Sequence, residues 1–425
     1  MVVLALTILL AHSVVSVASL FTKPVYFIRY HIICSAVFAS GVLEVFEGVK
    51  ILVGTREIKI AGLIWLVSLS IMGVYILLSL RNVRQYDNFL TRRYLWFLGW
   101  VFLVQVFVGS TTFSGILHFL ELLYPFVIFL ICYAFVRPGP DTVSILAAYK
   151  WYAGLLCVLI PVNYLLFGYN EMNVLNYARV MSTSLLPAFF LFFAQGIQKQ
   201  KKMLFPATVL LLIPVLTISR GVTVAVILAV LYYSVRTFLS FRRFKQLAFI
   251  MISLIVVTYG IVTSSAFQER TQAEGNIDPM DEGFVNTSGR LRIWLHFYDK
   301  IASASATSLL FGEGLGSSDE FTMESDESEW FKQPHSEYLR FLFNFGLVGV
   351  LLYFKIFIGL IRALRRRATG DEHSWLIGAT TMLVYSLFIL SLYENFLLYS
   401  PFGFTQNAFV IFAAALRITD TKQDN

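Results

Sequence analysis

His335 stands in QPHSEYLRFLFNFGLVGVLLY, where a polar Pro-His-Ser-Glu run leads straight into an apolar stretch. An ordinary imidazole titrates near pH 6.5, so at pH 7 a neutral nitrogen is available to take a proton from a hydroxyl. The competing reading is a polar collar at the end of an apolar helix. Glu337 and Tyr338 follow within three residues and are candidates for the same surroundings. Six arginines sit between or at the ends of apolar runs: Arg179, Arg220, Arg270, Arg290, Arg292 and Arg340. A guanidinium in a partly dried site can grip a phosphate through two parallel hydrogen bonds. At a membrane edge it can equally snorkel to lipid headgroups.

Arg220 occupies a Ser219-Arg220-Gly221 corner between two apolar runs, where Gly221 removes steric bulk at the turn. Arg290 follows Ser288-Gly289, a capping pair, at the head of RLRIWLHFYDKIASA. Arg179, in NYARVMSTS, and Arg292 complete the candidate set, whereas Arg270 falls in a solvated loop. His118 and Glu121 share one apolar run, TFSGILHFLELLYPF, and either line a polar cavity or form a satisfied helix–helix pair. GEGLGSS, from Gly312, has no strand before it and no Lys after it, which argues against a nucleotide loop and for a packed turn. The acidic ESDESEW lacks ligand spacing, so no metal is expected.

These groups need a scaffold, and the composition names it. The chain has 425 residues, 57% hydrophobic and 14% charged, against roughly a quarter charged in soluble proteins. The apolar residues come in runs of about 20, each able to cross a bilayer about 30 Å thick. The fold class is an all-α polytopic membrane protein with about 12–14 transmembrane helices. Spans are expected at about 1–20, 26–46, 60–80, 94–110, 114–136, 145–167, 183–198, 203–218, 221–238, 245–264, 336–362, 375–393 and 400–417. The first is read as a span and not as a removed signal peptide, because no basic n-region precedes it.

Alternation of these spans from the third onward puts RNVRQYDNFLTRR, KQKK, FRRFK, RALRRR and the tail on one side. By the positive-inside rule that side is cytoplasmic. The net charge of +7 is therefore anchoring charge, and nucleic acid is excluded as a partner. Residues 1–264 form an N-terminal bundle, 265–335 a long outer loop, and 336–425 the C-terminal spans with a short tail. The long loop carries an amphipathic helix, with Leu291, Trp294, Leu295 and Tyr298 at helical spacing. Cys34, Cys132 and Cys157 lie in apolar runs without paired or metal-like spacing.

Three features together resemble the O-antigen polymerase and O-antigen ligase superfamily of bacterial inner-membrane glycosyltransferases. They are the Ser219-Arg220-Gly221 corner; Ser288-Gly289-Arg290 followed by Gly312, Gly314 and Gly316; and His335-Ser336-Glu337-Tyr338-Leu339 entering a run with Gly346-Leu347-Val348-Gly349. Ser336 stands where the family usually has Asn. The resemblance implies a GT-C-like, multi-pass, metal-independent enzyme without cofactor whose site faces the periplasm. It implies a glycan donor on undecaprenyl pyrophosphate, with His335 as general base and Arg220, Arg290 and Arg179 on the pyrophosphate. Arg292, Glu337 and Tyr338 would be additional contacts. The acceptor would be another lipid-linked repeat unit in a polymerase or lipid A core in a ligase, with membrane lipids and a chain-length regulator as further partners. The motif around His335 looks more like polymerase versions. A transporter of lipid-linked glycan is the reading from another class; it predicts inverted repeats and Gly/Pro-broken helices at the midplane.

Overall fold

The computed structural model describes residues 2–40, 50–53, 56–79, 85–109, 113–137, 139–167, 171–216, 220–240, 290–318, 336–366, 374–392 and 404–420, with a few isolated positions between 252 and 263. Among them the chain is helical apart from one short hairpin. In order run α1 (Val2–Thr22), α2 (Pro24–Ala39), β1 (Lys50–Val53), β2 (Arg56–Lys59), α3 (Ile60–Ser79), α4 (Phe89–Phe107), α5 (Phe113–Phe135), α6 (Pro140–Phe167) and α7 (Glu171–Gln198). A 3₁₀ turn at Lys201–Met203 leads to α8 (Leu204–Leu216) and α9 (Arg220–Ser240). Then come α10 (Arg290–Ala302), α11 (Ala306–Phe311), α12 (Glu337–Arg366), α13 (Ser374–Leu390) and α14 (Gln406–Asp420).

Among the described residues, five segments are long and apolar enough to cross a membrane: Val3–Thr22, Gly62–Ser79, Gly115–Phe135, Pro140–Leu159 and Glu337–Arg365. Shorter apolar helices include Pro24–Ala39, Thr183–Gln198, Val222–Thr237, Ser374–Leu390 and Gln406–Ile418. The expected all-α polytopic architecture is present. The expected span at 245–264 lies almost wholly outside the described residues.

Three differences from the expected spans have local causes. α4 begins five residues early because Asn88 caps it, its side-chain oxygen accepting from the Leu90 and Thr91 amides at 2.9 Å each. Just before it, two hydrogen bonds from Arg92 hold the exposed Asp87 carboxyl below its usual range. α7 reaches back to Glu171, so Arg179 lies on a helix and not in a loop; hydropathy stops at Thr183 because the preceding turns carry Asn, Glu and Arg. The segment before α3 is a hairpin with Lys50 opposite Lys59 and Val53 opposite Arg56. Two four-residue strands flanking Gly54-Thr55 are the sequence signal for it.

The largest departure concerns the expected single span at 336–362. At Gly346 the backbone of α12 leaves helical geometry (φ 65°, ψ −174°). Sixteen residues of continuous helix would separate Tyr338 from Phe354 by about 24 Å, yet their ring centroids are 5.1 Å apart. Phe341 and Tyr353 would be about 18 Å apart in such a helix and lie at 4.8 Å. The chain therefore doubles back at Gly346, and α12 is a helical hairpin with a first arm 337–345 and a second arm 347–366. Only the second arm is long enough to cross. The first arm starts about 13 Å from the corner, where Glu337 is fully buried. The parity of the basic clusters is unchanged, because the first arm does not cross.

In lipid, apolar helices gain little from the hydrophobic effect on meeting one another, so close packing and hydrogen bonds must hold them. Phe97 of α4 is buried against Phe341, Phe345 and Tyr353 from both arms, with centroids 5.7, 6.0 and 6.0 Å away. Elsewhere polar pairs do the fastening. His12, midway along α1, bonds Tyr30 of α2 at 2.9 Å and Ser68 of α3 at 2.7 Å. At the start of α14, Gln406 and Asn407 are fully buried. The Gln406 amide donates to the His31 carbonyl at 3.3 Å and its carbonyl accepts from Tyr124 at 3.2 Å. Asn407 donates to Ser35 at 2.9 Å, and its backbone carbonyl accepts from Tyr149 at 2.9 Å.

Candidate active site

A helix that reverses inside a membrane frees carbonyls which lipid cannot satisfy. The first arm of α12 ends with three of them, on Phe343, Asn344 and Phe345. The Glu313 and Gly314 amides donate to the first two at 2.9 Å each. The Trp100 indole donates to the third at 2.9 Å. The Asn344 side chain in turn accepts from the Ser318 amide at 3.1 Å and the Ser317 hydroxyl at 3.2 Å. Gln105 accepts from the Leu315 amide at 2.6 Å. The Gly312-Glu313-Gly314-Leu315-Gly316 segment is thus a clamp on the corner, a packed turn and not a phosphate loop.

Its glycines are required by shape. Gly312, Gly314 and Gly316 all have φ between 81° and 97°, which side chains rarely adopt. A Cβ on Gly312 would fall on the Asn344 carbonyl, one on Gly314 on the Gly109 Cα, and one on Gly346 on the Leu310 carbonyl. The α4–α5 turn, the clamp and the corner therefore meet backbone to backbone.

The inner end of the first arm is polar and dry. Ser336 is 4% exposed, and Glu337 and Arg340 are fully buried. The Glu337 amide donates to the Ser391 carbonyl at 2.9 Å. Tyr338, half-buried, donates its hydroxyl to the Phe388 carbonyl at 2.7 Å. Both residues therefore fasten the arm to the end of α13. Arg340 approaches His118 of α5, with Nη2 3.4 Å from Nε2. His118 Nδ1 lies 2.7 Å from Glu121 Oε2. A guanidinium can only donate, so Nε2 is the acceptor and the His118 proton sits on Nδ1, facing the carboxylate. The pair expected at His118 and Glu121 is thus a helix–helix fastening, extended by one residue to Arg340.

His118→Leu is accordingly expected to lower stability by about 2 kcal/mol or more, the scale of hydrogen bonds to charged groups. A thermal-melt series on the purified protein checks this, with His118→Gln expected to recover part of the loss. An unchanged melting temperature for His118→Leu would remove the fastening role.

Arg220 is the first residue of α9 and Arg290 the first residue of α10. Free amides and the helix dipole at such positions favour an anion. Arg292 lies two residues further into the first turn of α10, and Arg179 lies in the N-terminal third of α7. His335 itself lies outside the described residues, directly before the recessed Ser336. α10 has the expected amphipathic character, with Phe297 fully buried against Phe343 at 5.3 Å and with Leu295 and Tyr298 exposed. Trp100, Gln105 and Asn344 escaped sequence reading: each contributes one hydrogen bond or two to a contact more than 20 residues away, which leaves no local pattern. No cluster of His, Cys, Asp and Glu able to hold a metal occurs among the described residues.

No curated protein matches the chain. Residues 205–354, a little over a third of it, match the family model described as O-antigen ligase. The matched segment runs from the start of α8 through the clamp and the corner of α12, and it includes Arg220, Arg290 and His335. Over that segment the chain is similar to the O-antigen ligase family, and this likeness supports the O-antigen polymerase and ligase superfamily.

Proposed function

We propose that the protein is a surface-polysaccharide polymerase. It transfers a growing glycan from undecaprenyl pyrophosphate to a hydroxyl of another lipid-linked repeat unit, at the periplasmic face of the inner membrane. The observation that carries this reading is the family domain itself, which encloses Arg220, Arg290 and His335 together. In this scheme His335 takes the proton of the acceptor hydroxyl as that oxygen attacks the anomeric carbon. The bond from that carbon to the pyrophosphate oxygen breaks, and the departing pyrophosphate carries the bonding electrons away. Arg220, Arg290 and Arg179 stabilise the charge that develops there, where a desolvated cation has its greatest effect. Arg292, two residues on in the first turn of α10, is an additional contact, and Glu337 and Tyr338 hold the arm that follows His335. The donor is already activated, so the scheme asks for neither a nucleotide nor a metal.

The family description favours a second reading, a ligase whose acceptor is lipid A core. Purified protein incubated with lipid-linked repeats alone separates the two. A ladder of lengthened glycans is expected; a product that forms only after lipid A core is added would establish the ligase, and no product in either case would sink both. In the same assay Arg220→Ala and Arg290→Ala are each expected to lose about 10²-fold or more in kcat, the scale of losing one transition-state donor. Near-normal turnover would count against pyrophosphate binding at those positions.

A further inference from the structure

The end of α10, α11 and the first arm of α12 enclose a cleft of about 190 Å³ beside the clamp. Its polar walls include Lys300, Ser308 and Glu313, and its apolar side is formed by Ile301, Leu342 and Phe343. A cation, a carboxylate and a hydroxyl facing one small space suit a polyhydroxylated ring, whose hydroxyls both donate and accept. A bare phosphate would meet Glu313, and an organic cation would meet Lys300. The apolar side suits the C–H face of such a ring. Pockets for drug-sized ligands run to about 300–1,000 Å³, so this one has room for a single sugar.

Hydrogen bonds and ring packing hold parts of the cleft's walls, which lowers the cost of ordering on binding. Glu313 is fixed through its amide to the Phe343 carbonyl at 2.9 Å. Phe343 is held edge-on by Phe297, at 5.3 Å and 78°. Ser305 caps α11 by accepting from the Ser308 amide at 3.0 Å. Its position matters too. Phe343 lies about 10 Å along the arm from Ser336, and Lys300 about 15 Å along α10 from Arg290. A ring seated here is away from both the bond being made and the pyrophosphate.

We propose that this cleft is a carbohydrate subsite that holds one sugar of the glycan remote from the reacting bond. The assignment rests on the glycosyltransferase reading above. Binding energy gathered there orients the glycan without touching the chemistry.

The test uses the full chain, the lipid-linked repeat unit of its own host, and the lipid-free repeat-unit oligosaccharide as competitor. Two variants are compared with wild type: Lys300→Met/Glu313→Gln, which removes the polar contacts, and Ala304→Trp, which fills the cleft from a lining position. Both are expected to raise KM about tenfold with kcat within about twofold, the scale of one or two lost polar contacts. Both are expected to abolish inhibition by the free oligosaccharide, and to match wild type on a lipid carrying a single sugar. Competition against acceptor or against donor tells which glycan fills the cleft. Unchanged KM and inhibition in both variants, with wild type active, would overturn the subsite alone. Oligosaccharide binding followed by saturation-transfer NMR reads the cleft independently of turnover. Binding that is equal in wild type and both variants overturns the subsite, whereas wild-type protein that transfers nothing sinks the reaction.

Discussion

Gly346→Val is expected to leave almost no correctly folded protein. The corner holds φ at 65°, where a side chain costs roughly 1–2 kcal/mol from backbone crowding alone. A Cβ there also lands on the Leu310 carbonyl and 2.6 Å from the Phe311 amide. Those are backbone atoms of α11, and the clamp beside them is already hydrogen-bonded, so they can retreat only by releasing the carbonyls of the first arm. Overpacking of about 1–3 kcal/mol and one or two broken buried hydrogen bonds follow. Against a typical stability of 5–15 kcal/mol, that sum is enough to depopulate the fold. Gly139→Ala is the matched control: φ is 91° but nothing lies within 4 Å of the added methyl, so only the conformational cost of about 1–2 kcal/mol remains. Membrane yield and melting temperature of the two variants measure the difference. Equal losses would mean that α12 does not reverse at a corner packed against α11.

For His335→Ala the expected loss is in rate. Removing a general base typically costs 10²–10⁴-fold, and the variant should keep wild-type yield and melting temperature. The wild-type rate should climb as pH rises through the imidazole range near 6.5, because only the neutral ring accepts a proton; the residual rate of the variant should lose that step. Glycan elongation followed over pH 5–8 in a reconstituted membrane reads both. Turnover near the wild-type level would dismiss His335 as the base and give weight to the transport reading.

Most of the membrane-facing scaffold was readable from residues. Long apolar runs located α1, α3, α5, α9 and α13, because a membrane helix is apolar whether it meets lipid or other apolar helices. The corner of α12 was not readable. Both of its arms are helical in pattern and joined by one glycine, which a straight membrane helix also tolerates. What bends the chain is the clamp from Gly312 to Ser318, brought in from about 30 residues upstream. Arg220 and Arg290 were legible as helix-opening residues because Gly221 and Gly289 flank them. The Arg340–His118–Glu121 fastening was legible only in its local half, since His118 and Glu121 are one turn apart while Arg340 is 222 residues away.

The buried amides at the head of α14 set the order in which this chain can be finished. Gln406 and Asn407 find their partners on α2, α5 and α6, all made hundreds of residues earlier. Released alone into hydrocarbon, that helix would carry two bare carboxamides, each a penalty of several kcal/mol. That helix therefore has no stable resting place until α2, α5 and α6 are assembled to receive it. Assembly is ordered accordingly, with a later helix seated by earlier ones.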